Sequence, residues 1–115
     1  MADDWQRVII ERWRYQFPKH FSFEFGPGWG PIMDELCRRV DAVLDDDWKD
    51  GQSFQWTQCK EKFGSGRFYN SGPDEVERHV DWAEAVTLRT CEQCGQPGIM
   101  RRDGWFGVRC DEHAS

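Results

Sequence analysis

Two residue pairs near the end of the chain constrain its fold more than any other feature. Cys91 and Cys94 form a Cys-x-x-Cys pair, and Cys110 and His113 form a Cys-x-x-His pair after fifteen intervening residues. Three thiolates and one imidazole at this spacing are typical of a closed tetrahedral zinc site. We therefore predict one structural Zn²⁺ per chain. The alternatives are a redox pair of free thiols and an open catalytic metal site.

A closed site limits what the ion can do. Four protein ligands leave no coordination position for water or substrate, and three thiolates disfavour the activation of hydroxide. Folding of this short segment is coupled to metal binding, because the segment has no core of its own. Two further histidines, His20 and His79, have no nucleophile at a diagnostic spacing. We expect the metal to have a purely structural role and the protein not to be an enzyme.

The length of the chain indicates one domain. It has 115 residues, and 15% of them are aromatic, so its apolar material consists largely of big rings. A chain of this size gains considerable stability from a bound structural metal ion. We predict an α+β fold in which three helices pack on a small antiparallel sheet. The predicted α+β body spans residues 1–89, and the predicted zinc ribbon spans residues 90–115.

Apolar periodicity and proline positions predict the three helices. Apolar residues recur every three or four positions over residues 3–17, 31–44 and 73–88. Pro31 and Pro73 suit the first helical position, where no backbone donor is needed. Asp3 or Asp4 is expected to cap the first helix.

Alternating apolar residues predict the strands. A hairpin is expected over residues 54–70, with Gly64-Ser65-Gly66 as its turn, and the ribbon should contain a second hairpin with Asp103-Gly104 as a two-residue turn. Further predictions are a half-buried strand containing Phe21, Phe23 and Phe25, and a loop containing Trp29.

Charge and composition favour some partners over others. The formal net charge is −6, which repels a nucleic-acid backbone at long range and favours a partner with a basic surface. Three of the five cysteines have metal-ligand spacing, which is typical of a reducing compartment. The sequence has no signal-peptide pattern and no apolar stretch long enough for a bilayer. A cytoplasmic protein without a membrane partner is expected.

An acidic run is the first candidate binding surface. Its carboxylates are expected to form a solvated face, and its tryptophan is expected to be an exposed anchor for a protein partner. The run consists of Asp45, Asp46, Asp47, Trp48 and Asp50.

A basic and aromatic stretch in the first hairpin is the alternative surface. Cations interleaved with rings can neutralise and stack a single-stranded nucleic acid. The residues concerned are Lys60, Lys62, Phe63, Arg67 and Tyr69. A similar mixture recurs around Trp105 and Phe106 in the second hairpin. The competing interpretation is that these rings form the core faces of the two hairpins and the cations lie outside.

Several segments resemble a group of small zinc-ribbon proteins encoded by bacteriophages and prophages. The resemblance covers about residues 26–113, through GWGPIMDELCRRV, CKEKFGSGRFYN, TCEQCGQPGIMR and CDEH. Gly66 occupies a position where the group usually has leucine, so we expect a looser turn or the loss of one core contact. The resemblance implies a phage origin rather than a mechanism.

The favoured hypothesis is a non-enzymatic interaction protein that inhibits a host protein. The resemblance to phage proteins implies a bacterial target, such as a defence nuclease or a CRISPR effector. Fixed carboxylates can compete for a nucleic-acid groove because they imitate a row of phosphates. The alternative hypothesis is a nucleic-acid-binding accessory or regulatory protein that uses the hairpin surface.

Overall fold

A computed structural model describes residues 4–114 and confirms the predicted α+β class. Asp3, one of the two expected helix caps, lies outside the described residues. The helices are α1 (Asp4–Arg12), α2 (Gly30–Val43) and α3 (Glu77–Thr87). One antiparallel sheet pairs β1 (Trp56–Lys62) with β2 (Ser65–Asn70), and a second pairs β3 (Ile99–Arg101) with β4 (Gly107–Arg109).

The second helix forms the centre of the core. Leu36, Cys37 and Val40 on its apolar stripe are completely buried. α2 packs against both α1 and α3, and α3 in turn packs on β2, where Thr87 Oγ1 accepts a hydrogen bond from Gly66 N. The predicted apolar stripes of α2 and α3 therefore face the interior, whereas on α1 the predicted stripe is wrong at Val8, which is 47% exposed.

Aromatic rings fill the space between α1 and the first sheet. The ring of Trp5 stacks on Phe23 and Phe25 at centroid distances of 5.5 and 5.8 Å. The predicted strand in this segment is reduced to one parallel bridge between Glu24 and Lys60. Its phenylalanines pack mainly against other rings, and a 3-10 turn over residues 27–29 ends the extended segment.

The first helix is shorter than predicted because a buried glutamine needs hydrogen-bond partners. α1 ends at Arg12, and a 3-10 turn over residues 14–16 follows. This turn places Gln16 in the core, where its Nε2 donates to the Cys37 carbonyl at 3.1 Å and its Oε1 accepts from Trp56 Nε1 at 2.9 Å. Burial of an amide is costly without such partners.

The third helix begins later than predicted. Residues 74–76 form a 3-10 turn, and the α-helix starts at Glu77. Pro73 has extended backbone angles and its carbonyl accepts from Val76 N at 3.1 Å. The proline therefore begins the 3-10 turn and lies four residues before the α-helix.

The turn of the first hairpin also differs from the prediction. Lys62 pairs with Ser65, so Phe63 and Gly64 form a two-residue turn with φ values of +52° and +95°. Gly66 lies in β2, outside the turn, where its amide donates to Thr87 Oγ1 at 2.9 Å. A Cβ at Gly66 would lie only 3.0 Å from the Thr87 methyl group, so glycine here permits the close approach of α3.

The second hairpin has a longer loop than its Asp-Gly pair predicts. Arg101 pairs with Gly107, which leaves five residues, 102–106, between the strands. Gly104 supplies the left-handed backbone in this loop, with φ of +82°. The loop projects Trp105 into solvent.

Within residues 4–114, no helix combines the length and the apolar character that a membrane span requires.

The segment before α2 fastens the ribbon to the body. Gly28 N donates to the Glu92 carbonyl at 2.7 Å, and Trp29 Nε1 donates to the Thr90 carbonyl at 2.9 Å. Trp29, predicted in a loop, belongs to a 3-10 turn and is completely buried. A Cβ at Gly28 would lie 2.2 Å from the Cys91 carbonyl oxygen, so this contact requires glycine.

We predict that Gly28→Ala weakens the attachment of the ribbon, because backbone atoms on both sides cannot yield to the added methyl group. The free energy of unfolding should fall by about 2 kcal/mol or more in urea titrations. Gly51→Ala is the control, since a Cβ there meets nothing within 4 Å and only the left-handed backbone, φ +86°, opposes it. Its cost should be about 1 kcal/mol. Equal losses in the two variants would contradict this account of Gly28.

Candidate metal centre

The ribbon brings together the four residues predicted as metal ligands. Cys91 and Cys94 precede β3, whereas Cys110 and His113 follow β4. Because the two strands pair in antiparallel orientation, the segment before β3 and the segment after β4 lie side by side. One ligand atom from each residue lies within 4.8 Å of the other three. Cys91 and Cys110 are buried, and Cys94 and His113 are exposed.

Three of the six distances between the ligand atoms are close to those expected in a tetrahedron around one ion. Two sulfurs that each lie 2.3 Å from a tetrahedral ion are roughly 3.8 Å apart, and a sulfur and an imidazole nitrogen are roughly 3.6 Å apart. Cys94 Sγ and Cys110 Sγ are separated by 3.7 Å. His113 Nδ1 lies 3.7 Å from Cys91 Sγ and 3.2 Å from Cys110 Sγ. The residues therefore fit a single metal ion, with Nδ1 as the nitrogen ligand.

The backbone of the first ligand pair favours a thiolate. Gly95 has φ of +83°, and its amide donates to the Cys91 carbonyl at 2.9 Å. Burial raises the pKa of Cys91, but N–H groups of Cys110, Cys94 and Gln93 outweigh this effect and bring the pKa to about 6. A sulfur that ionises readily is a good metal ligand.

The pKa of Cys94 shifts in the opposite direction. The Gln96 amide favours its thiolate, but desolvation and hydrogen bonds with the Cys110 and Cys91 sulfurs raise the pKa overall. A cation between these sulfurs would stabilise all three thiolates, because it replaces their mutual repulsion with attraction.

Glu92 links the metal cluster to the body, and sequence reasoning did not identify it. One carboxylate oxygen accepts from Gly26 N at 2.8 Å, and the other accepts from Arg109 Nη1 at 3.2 Å. The pair of Glu92 and Arg109 is well covered, with side-chain exposures of 13% and 21%. Its position between the two ligand cysteines carried no signal, because the residues inside a Cys-x-x-Cys pair vary freely with respect to metal binding.

The donor set defines what the centre can do. A tetrahedral arrangement of three sulfurs and one nitrogen is typical of zinc and of iron sites with thiolate ligands. All four positions of the shell are filled by protein atoms. This arrangement suits a structural site, because an ion held by these residues would join both sides of the hairpin.

Burial of the two remaining cysteines favours packing over reactivity. Cys37 on α2 and Cys59 on β1 are completely buried. Desolvation raises the pKa of both thiols well above the usual value. Neither thiol therefore provides an accessible nucleophile in the folded chain.

The acidic run is solvent-exposed at its carboxylates. Asp45, Asp46 and Asp47 lie at the start of a 3-10 turn and form no ion pair with any residue from 4 to 114. Asp50 instead shapes the loop: its carboxylate accepts from Gln52 N and from the amide and hydroxyl of Ser53. The Ser53 hydroxyl and these amides lower the pKa of Asp50 to about 2.

Trp48 is not the exposed anchor that the sequence predicts. Its side chain is half-buried and packs against the hydrophobic core, and its carbonyl accepts from Phe54 N at 3.3 Å. An indole is large enough to be drawn onto the core even from a polar loop. The acidic run therefore presents carboxylates without an aromatic anchor.

The first hairpin places four of the five predicted nucleic-acid contacts on its outer face. Lys60 pairs with Arg67, and Tyr69 lies opposite Gln58. The guanidinium of Arg67 donates to the Ser65 hydroxyl and to the Gly66 carbonyl. Lys62, paired with Ser65, completes this face.

Most of the rings in these two hairpins are exposed rather than in the core. Phe63 is 71% exposed, Trp105 is 81% exposed, and Tyr69 and Phe106 are also exposed. Phe68 is buried and packs edge-on against Phe25 at 6.1 Å. The interpretation that these rings are all core is therefore wrong for four of them.

The tips of the two hairpins meet, which sequence reasoning did not predict. A Cβ at Gly64 would lie 2.5 Å from Met100 Sδ and 3.4 Å from Gly107 Cα. This contact brings Phe63 beside the loop that carries Trp105. The only signal in the sequence was the recurrence of cations and rings in both hairpins, which does not specify that their tips touch.

Comparisons of the chain with protein-family models, with curated proteins and with solved structures found no match. The function must therefore be inferred from the geometry of the chain.

We predict that the purified chain binds one metal ion. Removal of this ion should unfold the ribbon before the body. Metal analysis should give one ion per chain, and a chelator should increase amide exchange in residues 90–114 before it does so in the body, because the ribbon has little core of its own. His113→Asn should weaken metal retention. His20→Asn, at an exposed position with φ of +62° that asparagine tolerates, is the matched control. Simultaneous loss of protection in ribbon and body would contradict a local role.

Proposed function

We propose that this chain is a non-enzymatic, zinc-stabilised interaction protein that inhibits a bacterial protein by covering one of its surfaces. Zn²⁺ is the proposed ion, since it favours a closed tetrahedral shell of three thiolates and one imidazole and has no redox chemistry. The resemblance to phage and prophage proteins supports a bacterial target, and a CRISPR effector or a defence nuclease is the kind of target proposed.

The observation that carries this proposal is the aromatic surface where the hairpins meet. Phe63, Trp105 and Phe106 all line one exposed cleft. A soluble chain gains nothing from holding its most exposed tryptophan and phenylalanine together in water. Rings of this kind are the usual anchors of protein interfaces, where they carry most of the binding energy.

Charge supports a basic target. The net charge of −6 favours association with a positively charged surface. The free carboxylates of Asp45, Asp46 and Asp47 could form ion pairs at the edge of such an interface. Edge charges of this kind mainly increase the association rate, whereas buried rings govern dissociation.

We predict that binding to a bacterial partner depends on the aromatic surface. Tagged chain should retain a specific protein from host lysate, and the purified partner should bind Trp105→Ala or Phe63→Ala at least about tenfold more weakly. Leu88→Ala removes an exposed apolar side chain elsewhere and should bind normally. Replacing Asp45, Asp46 and Asp47 together by lysine should reduce the association rate. A partner that binds all these variants equally would refute the proposed surface.

A second candidate function is binding of single-stranded nucleic acid. The two hairpins carry six of the fifteen Lys and Arg residues but only two of the twenty-one acids. Exposed rings lie among these cations, as in single-strand binding surfaces. However, Arg101 pairs with Asp111 at 3.0 Å and Arg109 pairs with Glu92 at 3.2 Å. These ion pairs reduce the charge available to phosphates, so the protein-binding function is the better supported.

We predict weak binding of short RNA and DNA, with little dependence on sequence. Fluorescence titration at 50 and about 200 mM salt should show a shallow salt dependence, because few unpaired cations are available to release counterions. Lys60→Gln and Lys62→Gln test the outer hairpin face, and Lys19→Gln is a control on an exposed lysine elsewhere. Tight binding with a steep salt dependence that the two hairpin variants abolish would establish the second function instead.

A further inference from the structure

The cleft between the hairpin tips has a distinct chemical composition. It measures about 420 Å³, within the range of ligand pockets, and is lined by Glu61, Phe63, Gly104, Trp105 and Phe106. Three of these residues contribute aromatic rings and one contributes a carboxylate. Lys62 and Arg102 are close in sequence, but neither lines the cleft. The only formal charge on its wall is therefore negative.

The carboxylate of Glu61 is held in place and retains free acceptor capacity. One of its oxygens accepts from Gly64 N at 2.7 Å. It forms no ion pair within residues 4–114. An ionised carboxylate has about four acceptor positions, so one backbone bond orients it without satisfying it.

The rings of the cleft are also without partners. Among residues 4–114, ring-to-ring contacts involve the core aromatics, and none of them includes Phe63, Trp105 or Phe106. Phe63 has a φ of +52°, a conformation that costs a bulky residue stability and is usually left to asparagine or glycine in such turns. A strained and exposed phenylalanine points to a role outside folding.

We infer that this cleft binds a cationic side chain of the protein partner, with arginine as the preferred occupant. A guanidinium stacks on aromatic faces and donates paired hydrogen bonds to a carboxylate, so it satisfies the rings and Glu61 together. An aliphatic side chain would leave the carboxylate desolvated and unpaired, and a phosphate group would be repelled by it. This inference deepens the proposed function and rests on it.

The chain already contains the same arrangement elsewhere on its surface. The Arg39 guanidinium carbon lies 3.8 Å from the centroid of the Trp82 ring, and Arg39 Nε lies 3.0 Å from Glu35 Oε2. An arginine between an indole and a carboxylate is therefore a stable combination in this protein. The cleft offers Trp105 and Glu61 as the corresponding indole and carboxylate, and it lacks only the arginine.

The test uses blocked tripeptides as probes of the full, metal-loaded chain. Acetyl-Gly-X-Gly-amide with X as arginine, lysine or norleucine is titrated at constant ionic strength, and the indole N–H signal of Trp105 and the amide signal of Gly104 are followed by NMR. The arginine peptide should bind about fivefold or more tightly than the norleucine peptide, which has an uncharged apolar stem. Lysine should lie between them.

Variants assign this preference to the carboxylate. Glu61→Gln keeps an acceptor for Gly64 N but removes the charge, so it should lower the affinity for arginine at least about threefold towards that for norleucine. Glu75→Gln removes an exposed carboxylate elsewhere and should change nothing. Trp105→Leu, at an exposed loop position, is a second variant that should lose the preference for cations without affecting the fold.

Equal affinity for the norleucine and arginine peptides would overturn the inference in favour of an apolar occupant. A hexathymidylate probe that binds the cleft more tightly than the arginine peptide would overturn it in favour of nucleic acid. A chain whose partner binding requires Trp105 but which ignores the arginine peptide refutes only the cationic occupant. A chain that binds the arginine peptide but whose partner binding is insensitive to Trp105 refutes only the proposed function.

Discussion

The cluster of three sulfurs and one nitrogen is the constraint on which the position of the second hairpin depends. β3 and β4 have only three residues each, and such short strands are not stable as an isolated hairpin. The cluster joins the chain before β3 to the chain after β4, and Glu92 ties the same segment to Gly26. The position of the loop that carries Trp105 therefore depends on the four clustered side chains together with the largely covered carboxylate of Glu92.

The body supplies the other wall of the cleft through a core built from large rings and one buried amide. Gln16 joins α2 to β1 by bonding to the Cys37 carbonyl and to Trp56. A buried polar group that must satisfy two partners helps to select one packing arrangement from several of similar hydrophobic energy. Gly66 adds a close contact between β2 and α3, so the orientation of the first hairpin, and of Phe63 at its tip, follows from these contacts.

Sequence patterns predicted the elements more reliably than their ends or their mutual positions. The apolar stripe of α2 and the metal-ligand spacing are local signals, and both appear in the structure. The break after α1 was not predicted because it depends on Gln16 reaching partners 21 and 40 residues away. Trp48 was assigned to the surface because its neighbours are acidic, yet hydrophobic burial outweighed that context. The cleft has no local signature, since it exists only where two hairpins distant in sequence meet.

Under the proposed function, formation of the cleft by both parts of the chain would make metal binding and partner binding thermodynamically linked. A ligand that contacts Phe63 and Trp105 together binds only the form in which the ribbon is folded and docked. By mass action it then stabilises that form, and with it the metal site, by the same factor by which the metal strengthens ligand binding. In the proposed function, the metal site would thus contribute to recognition without touching the partner. The site would hold the short hairpin of β3 and β4 against the turn of the first hairpin, where Gly64 has no side chain to clash with Met100.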